Sequence, residues 1–597
     1  MQIFKKVFDL LVPQERRSAG LLLMIIIIMA FLEMIGVASI LPFMTVLTNP
    51  SIIETNFALN YMFQASSMFG VENNQQFLFA SGVLVFILLV TSLTFKALTT
   101  YMQIRFVQML QYNLSKRLLE RYLSQSYSWY LTRNSAEFSK NILDEIGIVI
   151  GNGVSTIIEL IAKSTVAIAL LALLILANPK ITLLVGLSLS MSYLVIYKFT
   201  SNYVSRMGEE RFKKNELLFR SISEAFGAIK EIKMGGLEQT YINRFSDPAR
   251  TIAKNMASSS VIAQLPRFVL EAVAFGGIML LILYQMKQTG SFNNAIPVIS
   301  LYAFAGYRLM PALQQIYGSF SKFDFIIPSI NKIHSDFVDL KILSSNLEKG
   351  SISLKNILYL ENVSYDYPNS SRPALKNINL TIPVNTTVGL IGATGSGKTT
   401  TVDIILGLLE PRKGKIKVDE KIITKQNTRD WQRSIGYVPQ FIYLSDNSVA
   451  ANIALGVEPK DINLEAVEKA SKIANLHEFI LNELPEQYQT MIGERGVRLS
   501  GGQRQRIGIA RALYHNPKIL ILDEATNALD NVTEQAVMDA VNNLSKYLTI
   551  ILIAHRLNTV RRCDKIYLFD KGEIKSEGTF EELTKVNENF RKNVNNQ

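Results

Sequence analysis

Apolar residues crowd the first 330 positions of this chain and thin out afterwards. Six stretches of that first part suit membrane-crossing helices, which need about 20 mainly apolar residues. They are roughly 18–47, 76–104, 150–177, 181–200, 258–286 and 293–326. The first contains Leu21–Met29, LLLMIIIIM, a run that no water-exposed helix would carry. The third and fourth are separated only by Asn178, Pro179 and Lys180, so a tight hairpin is expected there. Asn56–Gly70 is uncharged and too short to span; Phe57, Leu59, Met62 and Phe63 are expected on one face of a helix lying in the membrane interface. After about residue 355 the pattern becomes that of a soluble α/β domain.

Charge orients the spans. The segments between spans two and three, and between four and five, are long and basic, with Arg105, Lys116, Arg117, Arg121, Arg211, Lys213, Lys214, Lys230 and Lys233. Between Met44 and Gln76 there is no Lys or Arg. The positive-inside rule puts the N-terminus, both long loops and the C-terminal part in the cytoplasm. Met1–Arg17 leads into the apolar run without a small-residue cleavage site, so a retained first span is expected. The net charge of +12 is accounted for by those loops and does not imply a nucleic-acid partner. The single cysteine, Cys563, excludes an intrachain disulfide. The mean hydropathy of +0.18 over 597 residues fits one membrane domain followed by one soluble domain.

Three short strings carry the chemistry. GATGSGKTT, Gly392–Thr400, is a P-loop: its glycines let backbone N–H groups close around phosphate oxygens at a helix N-terminus. Gly392, Thr394, Gly395, Ser396, Gly397 and Thr400 form that cradle with Lys398, which is expected on the β- and γ-phosphates of ATP; the Thr399 hydroxyl is expected on Mg²⁺. ILILDE, Ile519–Glu524, is an apolar strand ending in two acids. Asp523 is expected to hold the same Mg²⁺, and Glu524 to act as general base on water. LSGGQRQR, Leu499–Arg506, lies between the two.

That order, P-loop, LSGGQ, then an apolar strand ending in Asp-Glu, resembles the ATP-binding cassette (ABC) transporters, and the likeness runs the length of the chain. It implies a six-helix exporter-type membrane domain (1–330, with cytoplasmic helical extensions), a linker (331–355) and an α/β P-loop ATPase with an LSGGQ helical subdomain (356–597). It implies that Gln440 in GYVPQ senses Mg²⁺ and touches the transport domain, that His555 in LIAHRL contacts the γ-phosphate, and that Tyr367 in YDYP stacks on adenine. Tyr365, two residues away, is expected to face away from that ring. Ser500, Gly501, Gly502 and Gln503 would face the nucleotide of a second copy, so a homodimer is implied. Asp530 keeps the family pattern, whereas Asn527 stands where Ser is usual. Tyr127–Ile148 and Glu224–Glu238 are expected to supply helices that dock on the ATPase.

The cargo is read from ionisable residues in the spans, which are costly there and mark function. They are Lys96, Lys163, Arg267 and Arg308. Lys163 has Glu159 four residues earlier and is expected to pair with it; Arg267 has Glu271 four residues on, with Glu33 as another acid in reach. Lys96 and Arg308 have no acid nearby in sequence, so Lys96, Arg267 and Arg308 are expected to meet an anionic amphiphile in the membrane. FLEMIGVASILPFM, LPRFVLEA and YRLMPA resemble the PglK-type flippases for lipid-linked oligosaccharides. That likeness implies an ATP-driven flippase of the cytoplasmic membrane; a multidrug or lipid A-type exporter is the alternative.

Overall fold

The computed structural model describes residues 2–68, 70–177, 179–289, 296–340, 350–368, 370, 372–493, 496–525, 531–545, 547–554, 557–587 and 590–591. The chain forms two compact units. One comprises Met1–Gln125 and Arg133–Ile342, the other Ser126–Thr132 and Leu343–Gln597.

The first unit is helical. After an amphipathic α1 (Gln2–Asp9) come α2 (Pro13–Ala38), α3 (Ile40–Thr48), α4 (Phe57–Ser67), α5 (Asn74–Leu123), α6 (Ser155–Ala177), α7 (Pro179–Gly227), α8 (Glu238–Thr289) and α9 (Ile296–Asp339). The expected spans lie on these long helices, except that the first is broken at Ser39, the third begins in a π-helical turn before α6, and 293–295 of the sixth lie outside the described residues. Pro42 explains the break: it has no N–H to give the carbonyl four residues back and restricts the turn before it. Among the described residues, Pro13–Thr48, Asn74–Leu123 and Ser135–Leu176 are long and apolar enough to cross a membrane. The hairpin between α6 and α7 is closed by the Thr182 hydroxyl, which donates to the Leu174 carbonyl at 3.0 Å. Where α7 passes α9, a Cβ on Gly208 would lie 2.1 Å from the Phe325 carbonyl oxygen, so only glycine permits that approach.

α5, at 50 residues, is about 75 Å long and far exceeds a bilayer. Its lower end is tied to neighbouring helices by buried polar contacts. The Tyr122 hydroxyl donates to Asp336 at 2.6 Å, and Asn141 donates to both. Arg211 pairs with Glu145 at 3.0 Å and donates to Ser329. The chain entering span three widens into two π-helical turns, Asn141–Glu145 and Ile150–Val154, and the first carries Asn141 and Glu145 into this network.

The short α4 starts on Asn56, whose side chain accepts from the Ala58 and Leu59 N–H groups. The four apolar residues expected on one face are divided. Leu59 and Phe63, one turn apart, pack inward on Val46, Ile53, Val71 and Phe77. Phe57 stands out, 89% exposed, and Met62 is exposed too. Four-residue spacing puts 59 and 63 on one line and 57 on another.

In the second unit a six-stranded sheet is the centre. Its strands run β10 (Glu573–Gly578), β9 (Lys565–Asp570), β3 (Thr387–Gly392), β8 (Thr549–Ile553), β7 (Ile519–Asp523), β6 (Ile435–Val438). The last five are parallel, and β10 is antiparallel at the edge. A smaller antiparallel sheet orders β2 (Leu375–Pro383), β1 (Ile357–Tyr365), β4 (Lys413–Val418) and β5 (Lys421–Ile422). The continuous apolar runs in β7 and β8 fit strands buried on both faces. Ile519 and Ile521 join one core with the helix after the P-loop, while Leu520 and Leu522 join the other with the LSGGQ helix.

Candidate functional site

The two-residue period of β7 places its terminal acids. Asp523 continues the Ile519–Ile521 side, toward α10 (Lys398–Ile405), and is 4% exposed. Glu524 follows in a left-handed turn at φ 51°, which a residue with a Cβ adopts only when its surroundings hold it there. Its N–H donates to the Ile553 carbonyl of β8, and its carboxylate accepts from the Gln440 amide at 2.8 Å. Gln440 and the expected general base are therefore in direct contact.

The P-loop is closed on itself. Lys398 is buried and donates to the Gly392 and Ala393 carbonyls at 2.8 and 3.0 Å. Burial pushes its ammonium down, while Glu524 and Asp523 oppose that shift. These two carbonyls are contacts that phosphate oxygens would replace. Gly397 heads α10 at φ 105°, and a Cβ there would lie 2.7 Å from Leu375. Thr394, Gly395 and Thr399 are exposed at the loop's mouth, and Ser396 is buried with no hydrogen-bond partner for its hydroxyl among the described residues. An orphaned buried hydroxyl in a nest of N–H groups fits a phosphate. The groups expected to hold Mg²⁺, Asp523, the Thr399 hydroxyl and the Gln440 amide oxygen, are all oxygen donors, the chemistry that ion prefers. Such an ion would offset the charge of the phosphates.

The Tyr367 hydroxyl shares a hydrogen bond with Thr400 at 3.0 Å. The expectation for Tyr365 is corrected: its ring meets that of Tyr367 edge-on at 5.1 Å. Side chains two apart on extended backbone share a face, so the pair forms one aromatic corner. Tyr365 is its buried member and Tyr367 its accessible one.

Ser500 caps α11 (Gly501–Tyr514). Its oxygen accepts from the Gln503 N–H, and the Gln503 side chain accepts from the Ser500 N–H at 2.7 Å. The N–H groups of Gly501 and Gly502 open that helix, and the Ser500 hydroxyl keeps its own proton to donate. His555, Asp530 and Asn527 lie outside the described residues. His334 lies 3.7 Å from Asp9, His477 bonds Tyr488, and His515 stacks edge-on with Tyr514, as packing residues do.

Two features were not read from the sequence. Of the expected docking stretch Tyr127–Ile148, only the part up to Thr132, with Ser126 before it, groups with the second unit. Tyr127 lies in the electrostatic neighbourhood of Asp403 and Tyr367. Asp403, on α10, is the second feature: burial, then nearby Asp523, pushes its carboxyl up to about 6. Between roughly pH 4 and 6 the folded chain therefore holds a proton that the unfolded chain has released. Stability from this group is present at low pH and lost as pH rises through 6. In nucleotide-free protein Asp403→Asn is expected to unfold at a higher temperature than wild type at pH 7.5, with the gap narrowing steadily toward pH 4.5. A gap independent of pH would refute the assignment.

In the first unit the expected substrate cations all have acid partners. Glu33 is 3% exposed, and one of its oxygens accepts from both Lys96, at 2.7 Å, and Arg308, at 2.8 Å. Arg267 pairs with Glu271 at 2.7 Å on an exposed face of α8. The expected Lys163–Glu159 pair is not formed. Glu159 instead accepts from Gln315 at 3.1 Å, and Lys163 has no ion pair within 4.0 Å among the described residues.

Comparison with known proteins matches the chain to the ABC transporter family at residues 375–527 and to the ABC transporter transmembrane region at residues 18–306. It is 30% identical to the ATP-dependent lipid A-core flippase of Cupriavidus pinatubonensis, over 79% of this chain and 80% of that one. It is 34% identical to multidrug resistance protein 1 of Entamoeba histolytica, over 61% of this chain and 29% of that one. Among solved structures, a bacterial Atm1-family ABC exporter with ATP bound has the same fold, with a TM-score of 0.78 over 98% of both chains at 20% identity.

Proposed function

The chain belongs to the ABC transporter family as an ATP-hydrolysing membrane exporter, and on that premise we propose that its cargo is an amphiphile with a phosphate-bearing headgroup. A lipid-linked oligosaccharide or related glycolipid is the preferred cargo. The observation that carries this reading is the charge cluster inside the helical unit. Among the described residues, Lys96, Lys163 and Arg308 gather with Glu33 and Glu159 against them, an excess of one positive charge where charge is costly. The PglK-like strings in spans one, five and six point to polyprenyl-pyrophosphate carriers. The named lipid A-core relatives favour a second reading, a lipid A-type glycolipid, whose headgroup would answer to the same charge.

Two copies would act together. Each ATP would be held by the P-loop, Tyr367 and Lys398 of one copy and faced by Ser500, Gly501 and Gly502 of the other. Closure around ATP and Mg²⁺ would bring the cassettes together, and hydrolysis through Glu524, with His555 and Gln440, would part them. The basic loops support a cytoplasmic ATPase in the cytoplasmic membrane. Ser126–Thr132 would pass the motion to the helices, and Ile229–Gly235, inside the expected Glu224–Glu238 stretch and with Ile229 and Met234 exposed, would be the second docking helix.

The test is ATP-dependent transfer in proteoliposomes. A fluorescent polyprenyl-pyrophosphate oligosaccharide, a lipid A analogue and a neutral glycolipid are compared. Transfer of either phosphate-bearing lipid at several times the rate of the neutral one is expected. Transfer of the neutral lipid alone, or ATPase stimulation only by cationic hydrophobic drugs, would overturn the proposal.

A further inference from the structure

Acid partners divide the cations of the membrane helices into two classes. Lys96 and Arg308 are held together by one oxygen of Glu33, which ties α2, α5 and α9 at a single point. Arg267 is held by its own helix neighbour, Glu271. A cation already bonded to a buried carboxylate must give up that bond before it can grip a phosphate. Lys163 stands apart. It lies in the electrostatic neighbourhood of Lys96, Glu33, Glu159 and Arg308, yet has no ion pair within 4.0 Å among the described residues. The acid one turn away, Glu159, spends an oxygen on Gln315. Lys163 is half-buried, so its ammonium is neither dry nor out in solvent.

Depth favours the same residue. Lys163 lies fourteen residues before the end of α6 at Ala177, about 21 Å along the helix, well inside a bilayer core about 30 Å thick. It sits one turn below Val166 and Ala167, which pack with Met29, Ala30 and Ala305 in a dry cluster. The Glu33 triad is level with that cluster: Glu33 lies between Met29 and Val37, Arg308 between Ala305 and Ala312, and Lys96 beside Phe95. An ammonium with spare hydrogen-bond donors, beside two cations already held by one carboxylate, is a place for an anion to enter without breaking an existing pair.

We propose that Lys163 is the anion-receiving residue of the membrane domain, taking the phosphate or pyrophosphate of a lipid headgroup while the Glu33 triad positions it. The inference rests on the phosphate-amphiphile reading above and narrows it to one side chain.

The experiment uses the full chain in nanodiscs with the ATPase saturated by Mg-ADP, so that the P-loop does not compete. Farnesyl pyrophosphate is the probe, with farnesol and inorganic pyrophosphate as controls. Lys163→Gln is expected to weaken farnesyl pyrophosphate binding by roughly tenfold or more, the loss of a charged hydrogen bond. Lys163→Arg is expected to restore most of it. Farnesol should bind equally to all three proteins. Displacement of the probe by equal inorganic pyrophosphate identifies the bare anion as the ligand; no displacement identifies the lipid headgroup, and both support the site. In wild type, farnesyl pyrophosphate but not farnesol should protect Lys163 from an amine-reactive reagent, a readout that needs no variant to fold. Normal binding by Lys163→Gln, or no protection despite saturable binding, overturns the role of Lys163 and leaves the cargo class standing. No saturable binding by wild type overturns the cargo class and the inference with it.

Discussion

Glu524→Gln is expected to bind ATP like the wild type and hydrolyse it roughly 10²–10⁴-fold more slowly, the usual contribution of a positioned general base. The geometry behind this is specific. Glu524 is held at φ 51°, its N–H is bonded to β8, and Gln440 fixes one carboxylate oxygen. Glutamine keeps the shape and the Gln440 contact but cannot take a proton. The cassettes would then stay paired with ATP between them, seen as a stable dimer of the ATPase region or as trapped nucleotide. Lys398→Ala should fail earlier. It removes the ammonium that now satisfies the Gly392 and Ala393 carbonyls and would meet phosphate, so nucleotide binding itself weakens. Near-normal turnover in Glu524→Gln would remove that residue from the role. Equal loss of nucleotide binding in both variants would refute the division of labour between them.

What could be read from the sequence shared one property: its signal is local. The P-loop, LSGGQ and ILILDE each carry their signal within a few residues; it is the parallel sheet, with β8 between β3 and β7, that sets the ends of those two strands on the same side. Long apolar runs likewise announce the spans. What could not be read depends on distant partners. Glu33 is 63 positions from Lys96 and 275 from Arg308, so nothing in span one reveals that it serves both. Glu159 looks committed to Lys163 by its four-residue spacing, but a helix pair of that kind contributes only about 0.2–0.5 kcal/mol, and Gln315 across the helices takes its place. Asp403 has no motif; only burial beside Asp523 makes it titrate near 6. The outer helix was legible as a helix, yet which residues point inward was decided by Val46, Ile53 and Phe77 from other elements.

Because one oxygen of Glu33 serves two cations, its loss should cost more than the loss of either cation. Glu33→Gln leaves Lys96 and Arg308 facing each other at membrane depth without a counter-charge. Breaking a buried pair by removing one partner costs about 3–5 kcal/mol, since the remaining charge keeps its desolvation penalty. Glu33→Gln in nanodiscs is therefore expected to unfold at a markedly lower temperature and to yield little monodisperse protein. Lys96→Met and Arg308→Met should be milder, because each leaves Glu33 one cation. Combining all three as Glu33→Gln, Lys96→Met and Arg308→Met should recover much of the loss, as replacing a whole buried ion group with apolar residues is often neutral or better. Thermal unfolding of the four variants decides the matter. If Glu33→Gln matches wild type while Lys96→Met does not, the carboxylate is not what holds these helices together. If instead the triple variant recovers stability yet transfers no lipid, the triad stands as a device for placing charge beside Lys163, kept at a cost in stability that the cargo site requires.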